Sequence, residues 1–303
     1  MGHTDTVNSM RTRLEEIRGK WRYLWRLPAF RRAPASTLFR LARWRLQCAL
    51  GVPATVKLIP WGVRFFLPAR WHGAGTTMIF AVGAQCETEL AFLHRFLTPG
   101  MVVVDGGASC GIYTVVAARL VGASGRVLSF EPGAEAYSVL RKNIELNHLV
   151  NVRAHCAALS DRDGTAQLHH HEHGPNSFSL GKPESTGNGS EQVVTVSLDE
   201  VIRKEEAVRL GFIKLDVEGA EEMVLRGARR TITEWNPTIL FEINVAATKQ
   251  LGLEPHGAWE LLRAWGYRFF SFAACGDLRE LKGRLISFPI QNVIAVHGRR
   301  WHT

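Results

Sequence analysis

Met101-Val102-Val103-Val104-Asp105-Gly106-Gly107-Ala108-Ser109-Cys110-Gly111 is the stretch that decides the fold. The apolar run up to Val104 is what a strand of a parallel sheet shows when helices cover both faces and no wet side demands alternation. It ends in a carboxylate and passes into small residues. Ile112 to Leu120, rich in Val and Ala, then reads as a helix. Strand, glycine loop and helix in that order make the first turn of a doubly wound sheet. Small residues let the backbone approach a ligand closely, and a helix start offers unpaired N–H groups. Gly107, Ala108, Ser109 and Gly111 are therefore candidate cradle residues.

Working outward, Arg126 to Phe130 is a second strand ending in Glu131-Pro132, and Ala134 to Leu146 a helix with Tyr137, Leu140 and Ile144 on one stripe. A carboxylate at the end of the second strand, 24 residues beyond Gly107, stands where a ribose diol would be hydrogen-bonded. Glu131 is the expected ribose ligand. A nicotinamide reading fits poorly, because the loop runs Asp-x-Gly-x-x-x-Gly and Asp105 sets a negative charge before it. That charge suits the α-ammonium of S-adenosylmethionine better than a pyrophosphate. Asn151 to Cys156 is the third strand, followed by Ala157-Ala158-Leu159-Ser160-Asp161, where backbone could meet an adenine edge. Phe212 to Asp216 is the fourth, Thr238 to Ile243 the fifth, and Tyr267 to Phe272 with Asn292 to Val296 the last two. The expected fold is α/β, a doubly wound seven-stranded class I methyltransferase (Rossmann-like) sheet closed by an antiparallel pair.

Asp105 to Thr114, Phe130-Glu131-Pro132, Ile213-Lys214-Leu215-Asp216-Val217-Glu218-Gly219-Ala220-Glu221 and Phe241-Glu242-Ile243-Asn244 together resemble the FkbM-type S-adenosylmethionine-dependent methyltransferases. Ser197-Leu198-Asp199-Glu200 also matches, and the resemblance covers about residues 87–297. Gly106 and Ser109 depart from the family's usual Val and Asn. The resemblance implies a cofactor site that includes Tyr113, Pro132 and Asp216, and an O-methyltransferase acting on a hydroxyl of a natural product, sugar or glycolipid. Methyl transfer to nitrogen or carbon on the same fold, and a non-catalytic cofactor-binding scaffold, are the alternatives.

Transfer to oxygen needs alignment of acceptor, methyl and sulfur, and a base for the hydroxyl proton. Asp216, Glu218 and Glu242 end the fourth and fifth strands, the edge where such sheets bind ligands. These are the expected catalytic carboxylates, with Lys214 expected to pair with one of them. Together they offer oxygen ligands of the kind Mg²⁺ takes, but no metal site is assigned. The insert near 165–195 contains His169-His170-His171-Glu172-His173-Gly174-Pro175-Asn176-Ser177. Its imidazoles are contiguous and lack a second ligand cluster, which argues for a solvated loop over zinc. His173 or His171 is the candidate base from this insert, and Asn176, Ser177 and Ser179 the candidate acceptor contacts, with Asn176 and Ser177 foremost. Gly181 through Ser190 reads as flexible.

The 303 residues are 46% hydrophobic and 21% charged, which excludes disorder. Five cysteines without a Cys-x-x-Cys pair suggest reduced thiols. The net charge of +9 is unevenly spread. Residues 1–70 hold 14 Lys and Arg against three Asp and Glu, net +11, and the remainder is net −2. The expected division is a basic Arg/Trp-rich segment of two helices and a hairpin, residues 1–86, and a catalytic domain, residues 87–303. The second helix is expected to begin after Pro34 with Ser36 as its cap, and Glu87 to Leu97 to form a short helix. An Arg-rich face beside Trp and Leu suits an anionic membrane surface, an acidic or nucleic-acid partner, or plain packing on the body. A nucleic-acid substrate is disfavoured, because the core is slightly acidic and lacks the Asn/Asp-Pro-Pro-aromatic tetrapeptide. No apolar run is long enough to span a bilayer and no apolar block opens the chain, so a cytoplasmic enzyme is expected, with peripheral contact to an anionic membrane through residues 1–70 as an option.

Overall fold

The computed structural model describes residues 19–300 apart from 20, 23, 26, 71–74, 171–177, 180–188, 206–208, 273–276 and 283–289. In chain order the helices α1 (Pro28–Arg32) and α2 (Pro34–Ala49) lead to the strands β1 (Ala54–Leu58) and β2 (Val63–Leu67), then to helix α3 (Thr76–Val82). The large sheet contains β3 (Val102–Gly106), β4 (Arg126–Phe130), β5 (Val152–His155), β10 (Leu210–Leu215), β11 (Thr238–Asn244), β12 (Tyr267–Phe272), β13 (Leu278–Glu280) and β14 (Ile290–His297). Their order across the sheet is β13-β12-β14-β11-β10-β3-β4-β5. From β5 to β11 the pairing is parallel, while β14 runs antiparallel to both β11 and β12. All seven expected strands are present. Beyond them β13 adds an eighth at the edge, pairing Phe270 to Phe272 with Glu280 to Leu278. Three residues are too few for a periodicity to announce, and the bidentate Arg268–Glu280 ion pair reinforces the edge.

Side chains alternate across this sheet with the two-residue period of a strand. Val103, Val127 and Phe212 face one core and Val102, Val104, Leu128 and Phe130 the other. The order in which strands are added reverses between the parallel neighbours β3 and β10: β4 and β5 continue to one side and β11 lies to the other. That crevice, at the carboxyl ends of the strands, is where open α/β sheets bind ligands.

Where the insert after β5 is described, it is mostly strand. The strands β6 (Ala158–Ser160), β7 (Gly164–His170), β8 (Phe178–Ser179) and β9 (Ser190–Ser197) form a second sheet in the order β6-β9-β7-β8. Leu168 and Val193 pack with Ala158 and Ala136, and this alternate-position burial is what the His run conceals in the sequence. Ala158 to Ser160 thereby becomes a strand parallel to β9.

The described part of the basic segment holds α1, α2 and the β1–β2 hairpin. Pro34 itself opens α2, and Ser36 lies inside the first turn with no side-chain cap at Ala33. Proline at the first position has no N–H to satisfy, and its fixed φ is already that of a helix. Thr88–Arg95 is a 3₁₀ helix following another at Gly83–Cys86. The hairpin is joined to the body by two asparagines of helix α5 (Ala134–Leu146) and its end. The N–H groups of Phe66 and Arg64 donate to Asn143 Oδ1 at 2.6 Å and Asn147 Oδ1 at 2.8 Å. Both asparagine amides donate back to the same two residues' carbonyls. Trp44, Leu58, Phe65 and Leu67 share one hydrophobic cluster with the central sheet.

Candidate active site

The first turn leaves β3 at Gly107, whose φ is +72° and whose Cβ, were there one, would stand 1.8 Å from the Asp216 carbonyl oxygen. Only glycine lets the loop pass so close beneath the end of β10. Ser109 follows at φ 49°, left-handed for a non-glycine residue, and its N–H donates to Glu131 Oε2 at 2.7 Å. The Gly133 N–H donates to the other oxygen at 2.9 Å. Gly111, at φ +91°, sits against Leu140 and starts helix α4 (Ile112–Val121).

A cavity of about 190 Å³ opens above this turn. Of the sequence-predicted residues, Gly107, Ala108, Ser109 and Tyr113 line it from the first βα unit. Glu131, Pro132 and Ala158 line it from one side, and Asp216 and Glu218 from the other. Asp105 does not reach it. Its side chain is buried at the level of the sheet, where Thr114 Oγ1 donates to Oδ2 at 2.6 Å and Lys214 Nζ stands 3.8 Å from Oδ1. Lys214 and Asp105 are direct neighbours across β10 and β3, so the strand register joins these two charges. The expected ammonium contact of Asp105 is therefore not made at this cavity: its carboxyl lies buried beside Lys214, and burial raises its pKa against the pull of Lys214 and Thr114. Gly111 lies behind the loop, buried against α5, and Ala157 is buried outside the lining. Glu242 lines a separate small cavity with Gly219, Glu221 and Trp259. His171, His173, Asn176 and Ser177 lie outside the described residues.

Lys214 pairs with a carboxylate as expected, donating to Asp216 Oδ2 at 3.2 Å, and also donates to the Gly107 carbonyl at 3.3 Å. Burial works against its charge, but Asp216, Asp105 and Glu87 outweigh that and hold the ammonium above its ordinary range. Glu87 was missed by sequence reasoning. It lines the cavity and accepts a hydrogen bond from Tyr113 Oη at 3.2 Å. Burial, then Glu89 and Asp216, pushes its carboxyl up to about 7. The signal was present, since Glu87 is the first carboxylate after Glu16. Burial raises Glu131 to about 7 against its two N–H partners, and burial with Asp216 raises Glu218 to about 7. Among the described residues, no group of three or more His, Cys, Asp or Glu side chains is arranged to hold a metal ion.

The strand order, with one antiparallel strand slipped between the fifth parallel strand and the next, is that of a class I S-adenosylmethionine-dependent methyltransferase. Residues 105–269 match the methyltransferase FkbM domain, and the chain belongs to that family, whose methyl donor is S-adenosylmethionine. It is similar to methyltransferase 1 of Beauveria bassiana, 26% identical over 143 residues that make up 41% of this chain and 57% of that relative. Methyltransferase sdnD of Sordaria araneosa is 27% identical over 175 residues, 45% of this chain and 67% of that one. A solved methyltransferase FkbM from Methylobacillus flagellatus is 14% identical, with a TM-score of 0.42 over 85% of this chain and 59% of that one. The matched region thus spans little more than half of the Beauveria relative.

The residues present fit the cofactor. Glu131 keeps acceptor capacity beyond its two N–H partners and faces the cavity, as a vicinal diol requires. Among the described lining residues, four carboxylates (Glu87, Glu131, Asp216 and Glu218) stand against one ammonium, Lys214. Such a lining favours a ligand carrying positive charge.

Proposed function

We propose that the protein is an O-methyltransferase acting on a hydroxyl group of a small or lipid-linked natural product, sugar or glycolipid. The observation that carries this reading is Glu218, a carboxylate on the cavity wall whose pKa is pushed to about 7 by burial and by Asp216. A base of that strength is matched to neutral pH, where it is ionised enough to act and basic enough to take a hydroxyl proton. Its backbone is left-handed at φ 52°, a strain of the kind that concentrates at active sites.

The bound cofactor supplies an electrophilic methyl group on a sulfonium. Glu131, oriented by Ser109 and Gly133, would hold the ribose, and Ala158 and Pro132 would border the base. With Asp105 withdrawn into the core, Glu87 and Asp216 are the carboxylates placed to receive the ammonium of the amino-acid end. Glu218 accepts the proton that the acceptor oxygen sheds, so the acceptor gains a methyl and loses a proton with no change of oxidation state. Lys214 fixes Asp216 and keeps the floor of the site from carrying uncompensated negative charge.

Methyl-labelled S-adenosylmethionine incubated with the chain and an extract of hydroxylated metabolites, read by mass spectrometry, tests the reading. A product carrying the label as a methyl ether or ester supports it. Label found on nitrogen or carbon overturns the O-methyl assignment.

A further inference from the structure

Ten large hydrophobic side chains stand exposed among the described residues, and eight of them fall between Trp21 and Ile59. Within α2 and its C-terminal cap, Phe39, Leu46 and Leu50 are 68%, 60% and 67% exposed. Spaced seven and four residues apart, they share one helical face. The opposite face carries Trp44, fully buried, stacked on Phe80 at 4.7 Å with its Nε1 donating to Thr77 Oγ1 at 3.1 Å. The helix is therefore anchored by its inner side while an apolar stripe points away from the protein. Arg43, exposed one turn after Phe39, stands on the same face, so apolar and basic side chains share the outer side of the helix. Large apolar side chains gathered in this way on one exposed face mark an interaction site more often than chance scatter does.

The charge around the stripe is of one sign. Between Glu16 and Glu87 the sequence has twelve Lys and Arg and no carboxylate. In the residues that lead into α2, Arg22, Arg31 and Arg32 are exposed, and Trp21 and Trp25 are 43% and 52% exposed, their rings against Phe30. A second copy of this face would meet its own positive charge. An anionic bilayer surface answers all three features at once: aliphatic and Phe side chains enter the acyl boundary, Trp sits at headgroup depth, and Arg pairs with phosphate.

We propose that α2 and the segment before it form a docking surface for an anionic lipid membrane, with Phe39, Leu46 and Leu50 inserted and the arginines at headgroup level. Through Trp44 the docked helix bears on α3, whose Ile79 lines the candidate active site. Docking therefore holds one wall of that cavity next to the lipid. The proposal does not depend on which atom is methylated.

Flotation of the full chain with phosphatidylcholine vesicles, with and without about 30 mol% phosphatidylglycerol, tests it. The chain should float with the anionic vesicles only and be released by added salt. The triple variant Phe39→Ser, Leu46→Ser, Leu50→Ser should lose about tenfold or more of its partition while binding S-adenosylmethionine as before. Val150→Ser with Val194→Ser, exposed apolar positions elsewhere, should float as the parent does. Should the triple variant fail to fold, Arg31→Gln with Arg32→Gln is expected to weaken flotation several-fold. Absence of the parent from anionic vesicles, undiminished flotation of a folded triple variant, or light scattering that shows a dimer dissolved by the triple variant would overturn it.

Discussion

The Ser109 N–H and the Glu131 carboxylate meet at 2.7 Å, so the first βα turn is fastened to the end of the second strand by the group that would receive the ribose. Ser109 holds a left-handed backbone at φ 49° that costs on the order of 1–3 kcal/mol for a non-glycine residue. A charge-assisted hydrogen bond is the natural compensation for such strain. One carboxylate thus shapes the loop and faces the ligand.

The same loop makes Gly107 the least replaceable position of the site. A methyl group there would overlap the Asp216 carbonyl, 1.8 Å away, at φ +72° where side chains are already disfavoured. Gly107→Ala is expected to lower folding stability by about 3 kcal/mol or more, read from a denaturant melt.

Thr114 presents a milder case. Its hydroxyl donates to Asp105 and also meets Ser129 Oγ at 2.8 Å, all three side chains being buried. Thr114→Val keeps the shape and strands one carboxylate oxygen, which is expected to cost about 1–3 kcal/mol. Thermal denaturation without ligand measures it.

Burial, with Asp216, Glu218 and Glu221, pushes the Glu242 carboxyl up from an ordinary 4.5 to about 8. Between those two values the folded chain keeps a proton that the unfolded chain has released. Stability from this group therefore falls as pH rises through the window. Glu242→Gln removes the titration, and at pH 8 its melting midpoint should exceed the parent's by about 2–4 °C for each kcal/mol of charge burial relieved. Melts from pH 5 to pH 8.5 should show the two curves converging at the acid end.

For Glu218, replacement by Gln keeps the shape and removes the base. The turnover number should fall by about 10²–10⁴, and the limb of the kcat profile near pH 7 should disappear, while donor binding changes little. Steady-state kinetics across pH 6–9 with an identified acceptor would check both effects.

The central sheet was legible because several of its strands combine an apolar run with a carboxylate at or near the end. Met101 to Asp105 and Phe212 to Asp216 are the clearest cases. Glu131 and the small residues of the loop were legible for the same reason, being local to one turn. Asp105 misled because sequence shows that a charge precedes the loop and not that β10 sets Lys214 directly beside it. Glu87 was missed because its approach to Tyr113 joins segments 26 residues apart, with no periodic pattern connecting them. Glu242 sits at a strand end like Asp216, yet its side chain enters the small cavity with Trp259, a choice made by packing and not by position along the chain. The insert sheet was hidden because its β7 strand ends in a His run that reads as loop.

Isothermal calorimetry of S-adenosylmethionine binding to the parent chain and to Glu131→Ala, with folding of both confirmed by circular dichroism, addresses the central claim most directly. Saturable binding by the parent is expected, with a loss of about 1.5–3 kcal/mol, roughly 10- to 150-fold in Kd, in the variant. Equal affinity in a folded Glu131→Ala chain, or no binding by the parent, would contradict it.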